Sequence, residues 1–371
     1  MLVIHKSCLQ PADNGTVRLV TPVTETAGGS STRHEIWVEV DEAYKEFLCL
    51  ERCDAMLLGL LHYAMEKGHD IQAELPVSRE LYFNLTNLLI PLLCGEKETV
   101  YKKVALQMTV TAERLPNAGA VGTGISLGID SFYTISRHTK EAGSPYPVTH
   151  LLFFNVGSHG RDEKAELTHQ EHLKKVSAFA DEYGYKLITL NSNYASEFRQ
   201  HYYNVHAYAA AFAAFSLQKL WSDYHYASAG FSKMTLSLPI RKKVAGGYLM
   251  PVINGIFMTE NLHFRADAEG VSRFEKTRYL SNVEMAQKYL YVCTRSTENC
   301  CRCNKCIRTL LTLRVLGAKQ KFSAVFPAEK CSFFRELMLL LKQMWKRDPF
   351  SFDIIALPHI SSGGNNSGSA V

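Results

Sequence analysis

From residue 120 to about 231 the chain alternates short apolar runs with segments of helical period, and this alternation narrows its possible folds more than any other feature. The spacing predicts strands at 120–124, 150–156, 186–190 and about 226–231. Between them it predicts helices over 129–139, over 162–183 and from near Ser196 onward. The run 150–156 is strongly apolar, as befits a strand covered on both faces, and crossover helices between parallel strands supply that cover. The expected fold class is therefore α/β, with a parallel doubly wound sheet and helices on both faces.

The first 115 residues read as an α+β extension of their own, with a strand at 35–40, helices over 41–67 and 78–93, and a strand at 103–110. Pro, Asn and Gly in 112–119 mark the boundary. Beyond the alternating region come a Gly/Pro-rich connection at 245–251, a strand and helix within 262–280, a cysteine cluster, and helices over 305–316 and 328–347. The expected organisation is an extension (1–115), an α/β domain (116–290), a cysteine knuckle with helices (291–358) and a polar disordered tail (359–371).

With 371 residues, 46% of them hydrophobic, the chain can bury one large core or two ordinary ones. Its net charge of +5 suits phosphate-bearing ligands but includes no dense Lys/Arg stripe of the kind a dedicated nucleic-acid binder carries. The longest apolar runs, 88–94 and 207–217, fall short of the roughly 20 residues a membrane span needs, and the start does not read as a secretory signal. A cytoplasmic location is expected.

Ser126-Leu127-Gly128-Ile129-Asp130-Ser131 lies between the first strand of the alternating region and its first helix. A Gly/Ser turn opening a helix offers free backbone N–H groups and hydroxyls at the positive end of the helix dipole, which suits a pyrophosphate. Asp130 is suited to Mg²⁺, since hard cations bridging phosphates take carboxylate oxygens. The P-loop pattern with its lysine is absent, and Gly122, Gly124 and Gly128 lack the dinucleotide-binding spacing.

Cys293, Cys300, Cys303 and Cys306 are spaced C-x6-C-x2-C-x2-C, and short C-x2-C turns let successive sulfurs face one centre. Four thiolates suit Zn²⁺ in a closed, structural site. Cys301 is the spare thiol of the cluster. Cys8, Cys49, Cys53, Cys94 and Cys331 lack metal spacing.

The 126–131 segment resembles the Ser-Gly-Gly-x-Asp-Ser signature of the PP-loop ATP pyrophosphatases, with Leu127 in place of the first glycine. The resemblance implies an adenine nucleotide alpha hydrolase-like, Rossmann-like fold. It implies ATP and Mg²⁺ as cofactors, with Ser126, Gly128, Asp130 and Ser131 on the pyrophosphate and Asp130 toward magnesium. Residues 118–316, combining this loop with the cysteine spacing, resemble 7-cyano-7-deazaguanine synthase and its relatives. The segment 299–309, Asn-Cys-Cys-Arg-Cys-Asn-Lys-Cys-Ile-Arg-Thr, is similar to the ending of a group of synthase-like proteins with an N-terminal extension, in which Cys301 stands where glycine is usual. By that resemblance Arg273 and Lys276 are candidates to reach phosphates or substrate.

The implied activity is ATP-dependent ligation: a carboxylate or carbonyl oxygen is adenylated, pyrophosphate leaves, and ammonia or an amine displaces AMP. The acceptor is a small molecule or a peptide. The alternatives are a relative that binds nucleotide or nucleic acid without this catalysis, and a sulfur-transferring enzyme. A homodimer, or a protein partner on the extension, also stays open. Asn191 and Asn193 follow a strand at the sheet edge, His206 heads a buried helix, and Arg241-Lys242-Lys243 is a basic triplet; turn chemistry, core packing and solvation explain these equally well.

Overall fold

The structure, a computed structural model, describes residues 1–96, 100–157, 163–200, 202–229 and 255–345. The 245–251 connection, the triplet Arg241-Lys242-Lys243, residues 230–231 of the fourth expected strand and the 359–371 tail lie outside the described residues. Two compact units are present. Among the described residues the first takes Met1–Ser126, Arg137–Ser228 and the stretch ending at Asp267, and the second takes Leu127–Ser136 and Ala268 onward.

Among the described residues the strands all fall in the first unit. They are β1 (Leu2–Ile4), β2 (Cys8–Pro11), β3 (Thr16–Ala27), β4 (Ser30–Asp41), β5 (Ile71–Ala73), β6 (Val77–Ser78), β7 (Leu106–Gln107), β8 (Val110–Thr111), β9 (Ala120–Gly124), β10 (His150–Asn155), β11 (Lys186–Ser192), β12 (Trp221–Ala227) and β13 (His263–Asp267). Eleven form one sheet in the order β13-β12-β9-β10-β11-β4-β3-β1-β5-β7, with β2 on β3, while β6 pairs with β8. From β13 to β11 every pairing is parallel. The chain winds from β9 outward through β10 and β11, then returns to the other side of β9 with β12 and β13. Such a reversal opens a crevice beyond the carboxyl ends of the strands, where α/β sheets bind ligands.

The glycines of β9 serve packing. A Cβ at Gly122 would come within 2.7 Å of the Trp221 ring, so the fully buried Trp221 depends on a bare backbone there.

The expected boundary near residue 115 falls inside the first unit, because β4 pairs antiparallel with β11 at Leu190↔Val40 and Ser192↔Val38. An open β11 edge would leave a row of unpaired N–H and C=O groups, and β4 satisfies them. β3 and β4 form a hairpin turned by Gly28 and Gly29, both at positive φ. Alternation puts Ile36, Val38 and Val40 inside.

The expected helix over 41–67 is interrupted. A 3-10 turn at Glu42–Phe47 ends, and the helix proper runs Asp54–Lys67. Between them Cys49 N–H donates to the Ser216 carbonyl, a tertiary bond that local pattern does not reveal. The Asp54–Lys67 helix packs on the buried helix Tyr202–Ser216.

In the second unit the helix Arg273–Leu280 packs on Asn304–Val315 through Phe274 and Leu311. Ser272 and Glu275 form a reciprocal capping box at its start. The final described helix, Phe333–Trp345, is tied to Asn304–Val315 by a bidentate bond from Arg314 to Glu336, whose side chain is buried. Among the described residues no helix is long and apolar enough to cross a membrane.

Removing residues 1–115 should uncover the β11 edge beside buried Ile188 and Leu190. The truncated chain is expected in the insoluble fraction on expression, whereas an independently folded extension would leave a soluble, monodisperse remainder on gel filtration.

Candidate functional site

The chain leaves β9 at Gly124, and Ile125 N–H donates to the Leu152 carbonyl at 3.1 Å, which keeps it on β10. Ser126 follows, exposed, in the first unit. Its carbonyl lies 3.1 Å from His172 Nε2, so that ring nitrogen carries the proton and donates. His172 is buried in the helix Glu163–Tyr183, edge-on to Phe153. Sequence reading missed this residue, since one buried histidine in a charged helix has no periodic or motif signature.

Leu127 opens the second unit's portion of the turn with φ +52, the left-handed region that glycine favours. A leucine there is disfavoured by about 1–2 kcal/mol. Its side chain is fully buried, a gain of about 1.5–3 kcal/mol that offsets the strain. The Leu127 carbonyl accepts from Tyr291 N–H at 2.8 Å. The turn thus has a glycine-like backbone at Leu127.

The helix Ile129–Arg137 begins with the Gly128 carbonyl accepting from Phe132 N–H at 3.0 Å and from Ser131 Oγ at 3.1 Å. Asp130 faces two cations. Arg273 Nη2 donates to Oδ2 at 2.6 Å and Lys276 Nζ to Oδ1 at 3.2 Å. Lys276 is completely buried, with its ammonium over the Tyr133 ring, 5.7 Å from the centroid. Burial alone would raise the Asp130 pKa; the charges and hydrogen bonds of Arg273 and Lys276 outweigh it and hold the carboxyl below its ordinary value. Lys305, in the first turn of Asn304–Val315, makes no ion pair among the described residues and lies within range of the Arg273, Asp130 and Arg308 charges. Two cations therefore engage one carboxylate, a local excess of positive charge that sequence reading found only in part.

The structure thus brings Asp130, Arg273 and Lys276 together within the second unit, with Gly128 and Ser131 in the adjoining turn. Asn191 and Asn193 stand elsewhere. Asn191 pairs with Glu39 in the sheet, and Asn193 accepts from Trp37 N–H and donates to the Glu35 carbonyl, bracing β4. His206 Nδ1 lies 2.6 Å from the Tyr226 hydroxyl, and burial lowers its pKa.

The sulfurs of Cys293, Cys300, Cys303 and Cys306 all lie within 4.8 Å of one another, a group able to hold a metal ion such as zinc. Tetrahedral zinc–thiolate bonds of about 2.3 Å place sulfurs about 3.8 Å apart, so the group needs little adjustment. Backbone N–H groups of Arg295, Arg302, Cys303 and Cys306 point at three of the sulfurs, from 3.3 to 3.5 Å. Buried Asn299 locks the segment, accepting from Val292 N–H and donating to the Leu290 and Val325 carbonyls. Cys301 is not in the metal group; it too takes a left-handed backbone, φ +54.

No family model, curated protein or solved structure matches the chain.

Replacing Asp130 by Asn should remove the carboxylate that buried Lys276 and neighbouring Arg273 share, lowering stability by on the order of 3 kcal/mol in urea unfolding. Adding Lys276→Met to that variant should recover part of the loss. In the wild type the folded carboxyl has the depressed pKa, so its stabilisation is complete above the ordinary carboxylate value and drains away as pH falls through the lowered folded value. Unfolding midpoints measured at descending pH should show that loss in the wild type and a flatter profile in Asp130→Asn.

Replacing Cys303 by Ser is expected to abolish bound zinc, measured by atomic emission, and to open the 290–316 segment to proteolysis, because structural zinc contributes on the order of 10 kcal/mol to local folding.

Proposed function

We propose that the chain is an ATP-dependent adenylating enzyme of the PP-loop ATP pyrophosphatase type, built on a Rossmann-like, adenine nucleotide alpha hydrolase-like sheet. The observation that carries the reading is the turn at 126–131: a left-handed residue two positions before a helix whose first turn presents Asp130 to Arg273 and Lys276. The strand reversal beside β9, which feeds this turn, supports it.

In this reading the N–H groups at the start of the Ile129–Arg137 helix and the hydroxyl of Ser131 hold the pyrophosphate. An acceptor carboxylate or carbonyl oxygen attacks the α-phosphorus, the bond to the bridging oxygen breaks, and pyrophosphate departs. Ammonia or an amine then displaces AMP. Arg273 and Lys276 stabilise charge on the departing phosphates, the kind of preorganised electrostatics on which such transfer depends. Asp130 has both oxygens engaged by cations, so its role is to hold Arg273 and Lys276 in place rather than to offer a free ligand to magnesium. Magnesium, where bound with the nucleotide, would supply further neutralisation of phosphate charge. The thiolate group is structural, since its four positions are all protein sulfur.

The test is release of AMP and pyrophosphate from ATP by the purified protein, supplied with magnesium, ammonia and a panel of carboxylic acids. Stoichiometric AMP and pyrophosphate are expected with one acid class, and Lys276→Met is expected to lower kcat/KM by about 100- to 1000-fold. Binding of ATP without release would favour a nucleotide-binding relative that has lost catalysis. Absence of any affinity for adenine nucleotides would refute both readings.

A further inference from the structure

Cys301 Sγ lies 3.5 Å from Cys331 Sγ, thirty residues further along the chain. Neither thiol belongs to the metal group. Cys301 is 1% exposed, whereas Cys331 is half-buried, directly after the 3-10 turn Ala328–Lys330 and just before the helix Phe333–Trp345. Cys331 Sγ also lies 3.3 Å from the Pro327 carbonyl, which the thiol can donate to. One thiol of the pair is thus reachable from solvent, and the other waits behind it in contact.

That asymmetry is the arrangement of a peroxidatic thiol and its resolving partner. A disulfide requires the sulfurs to close from 3.5 Å to about 2.05 Å, a movement small enough for side-chain rotation and slight backbone adjustment in the 327–331 turn. The four neighbouring sulfurs, when metal-bound, are withheld from the same chemistry.

We propose that Cys301 and Cys331 form a redox modification site, a dithiol that hydrogen peroxide converts to an intramolecular disulfide while Cys293, Cys300, Cys303 and Cys306 keep their metal. The Cys331 sulfur attacks one peroxide oxygen, the O–O bond breaks, and a sulfenic acid and one water form. Cys301 then attacks the sulfenic sulfur; the S–S bond forms and the second water leaves. The two thiols together lose two protons and two electrons, which peroxide takes up. The product ties the start of the last described helix to the knuckle by a covalent bond. This inference stands on the sulfur geometry alone and is independent of the adenylation chemistry.

Full-length, zinc-loaded protein exposed to a few equivalents of hydrogen peroxide, blocked with N-ethylmaleimide and digested without reduction tests it by mass spectrometry. The expected result is a peptide joining the Cys301 segment to the Cys331 segment, at least tenfold above the untreated sample, with zinc content unchanged. Cys331→Ser and Cys301→Gly should each remove it; glycine suits the left-handed backbone at 301 and leaves all four metal ligands in place. The proposal fails if both thiols are recovered alkylated. It fails equally if the link survives in Cys301→Gly, which would implicate Cys300, or if peroxide expels zinc and couples the ligand cysteines to one another.

Discussion

Asp130 carries the arrangement of the second unit's candidate site. A carboxylate with little exposure is tolerable only where opposite charge meets it, and a completely buried lysine is tolerable on the same condition. Each solves the other's problem, with Arg273 completing the set. Because Asp130 sits in the first turn of one helix while Arg273 and Lys276 sit in the first two turns of another, the ion cluster fixes the two helix starts relative to each other. Any anion that draws the cations toward itself must compete with Asp130, which makes the cluster a means of holding positive charge ready.

The turn before Asp130 is secured from behind. Tyr291 N–H reaches the Leu127 carbonyl, and Tyr291 is two residues from the first sulfur of the metal group. Asn299, which orders the same segment, bonds to the backbone on either side of Tyr291, at Leu290 and Val292. The segment that carries the four sulfurs is therefore linked to the turn by a short, hydrogen-bonded route. Leu127 and Cys301 share a feature: each keeps a left-handed backbone with a buried side chain. Local strain at both positions is sustained by surroundings that leave the side chain no better place.

Much of the α/β region was legible because apolar runs and helical period are local signals. β9, β10 and β11 lie within about two residues of their expected limits, and the helices Asn304–Val315 and Arg273–Leu280 fall where pattern puts them. The metal group was legible for a similar reason, since C-x2-C spacing compresses a three-dimensional requirement into neighbouring positions. The β3–β4 hairpin went unread although Gly28-Gly29 between alternating runs is a hairpin signal. Pairing of β4 with β11 left no such trace, because it joins residues about 150 positions apart through backbone atoms that every residue has. Resemblance nominated Arg273 and Lys276, but the distance in sequence hid their attachment to Asp130, and with it the carboxylate's engagement on both oxygens. His172 and the Cys301–Cys331 contact were hidden in the same way.

Amide hydrogen exchange of the full-length protein with and without magnesium ATP measures the central claim, that the 126–131 turn and its partner cations receive linked phosphates. The account predicts slowed exchange at residues 127–132 and 273–277 when nucleotide is present. Unchanged exchange in both segments at saturating ATP, or protection confined to other parts of the chain, would contradict it.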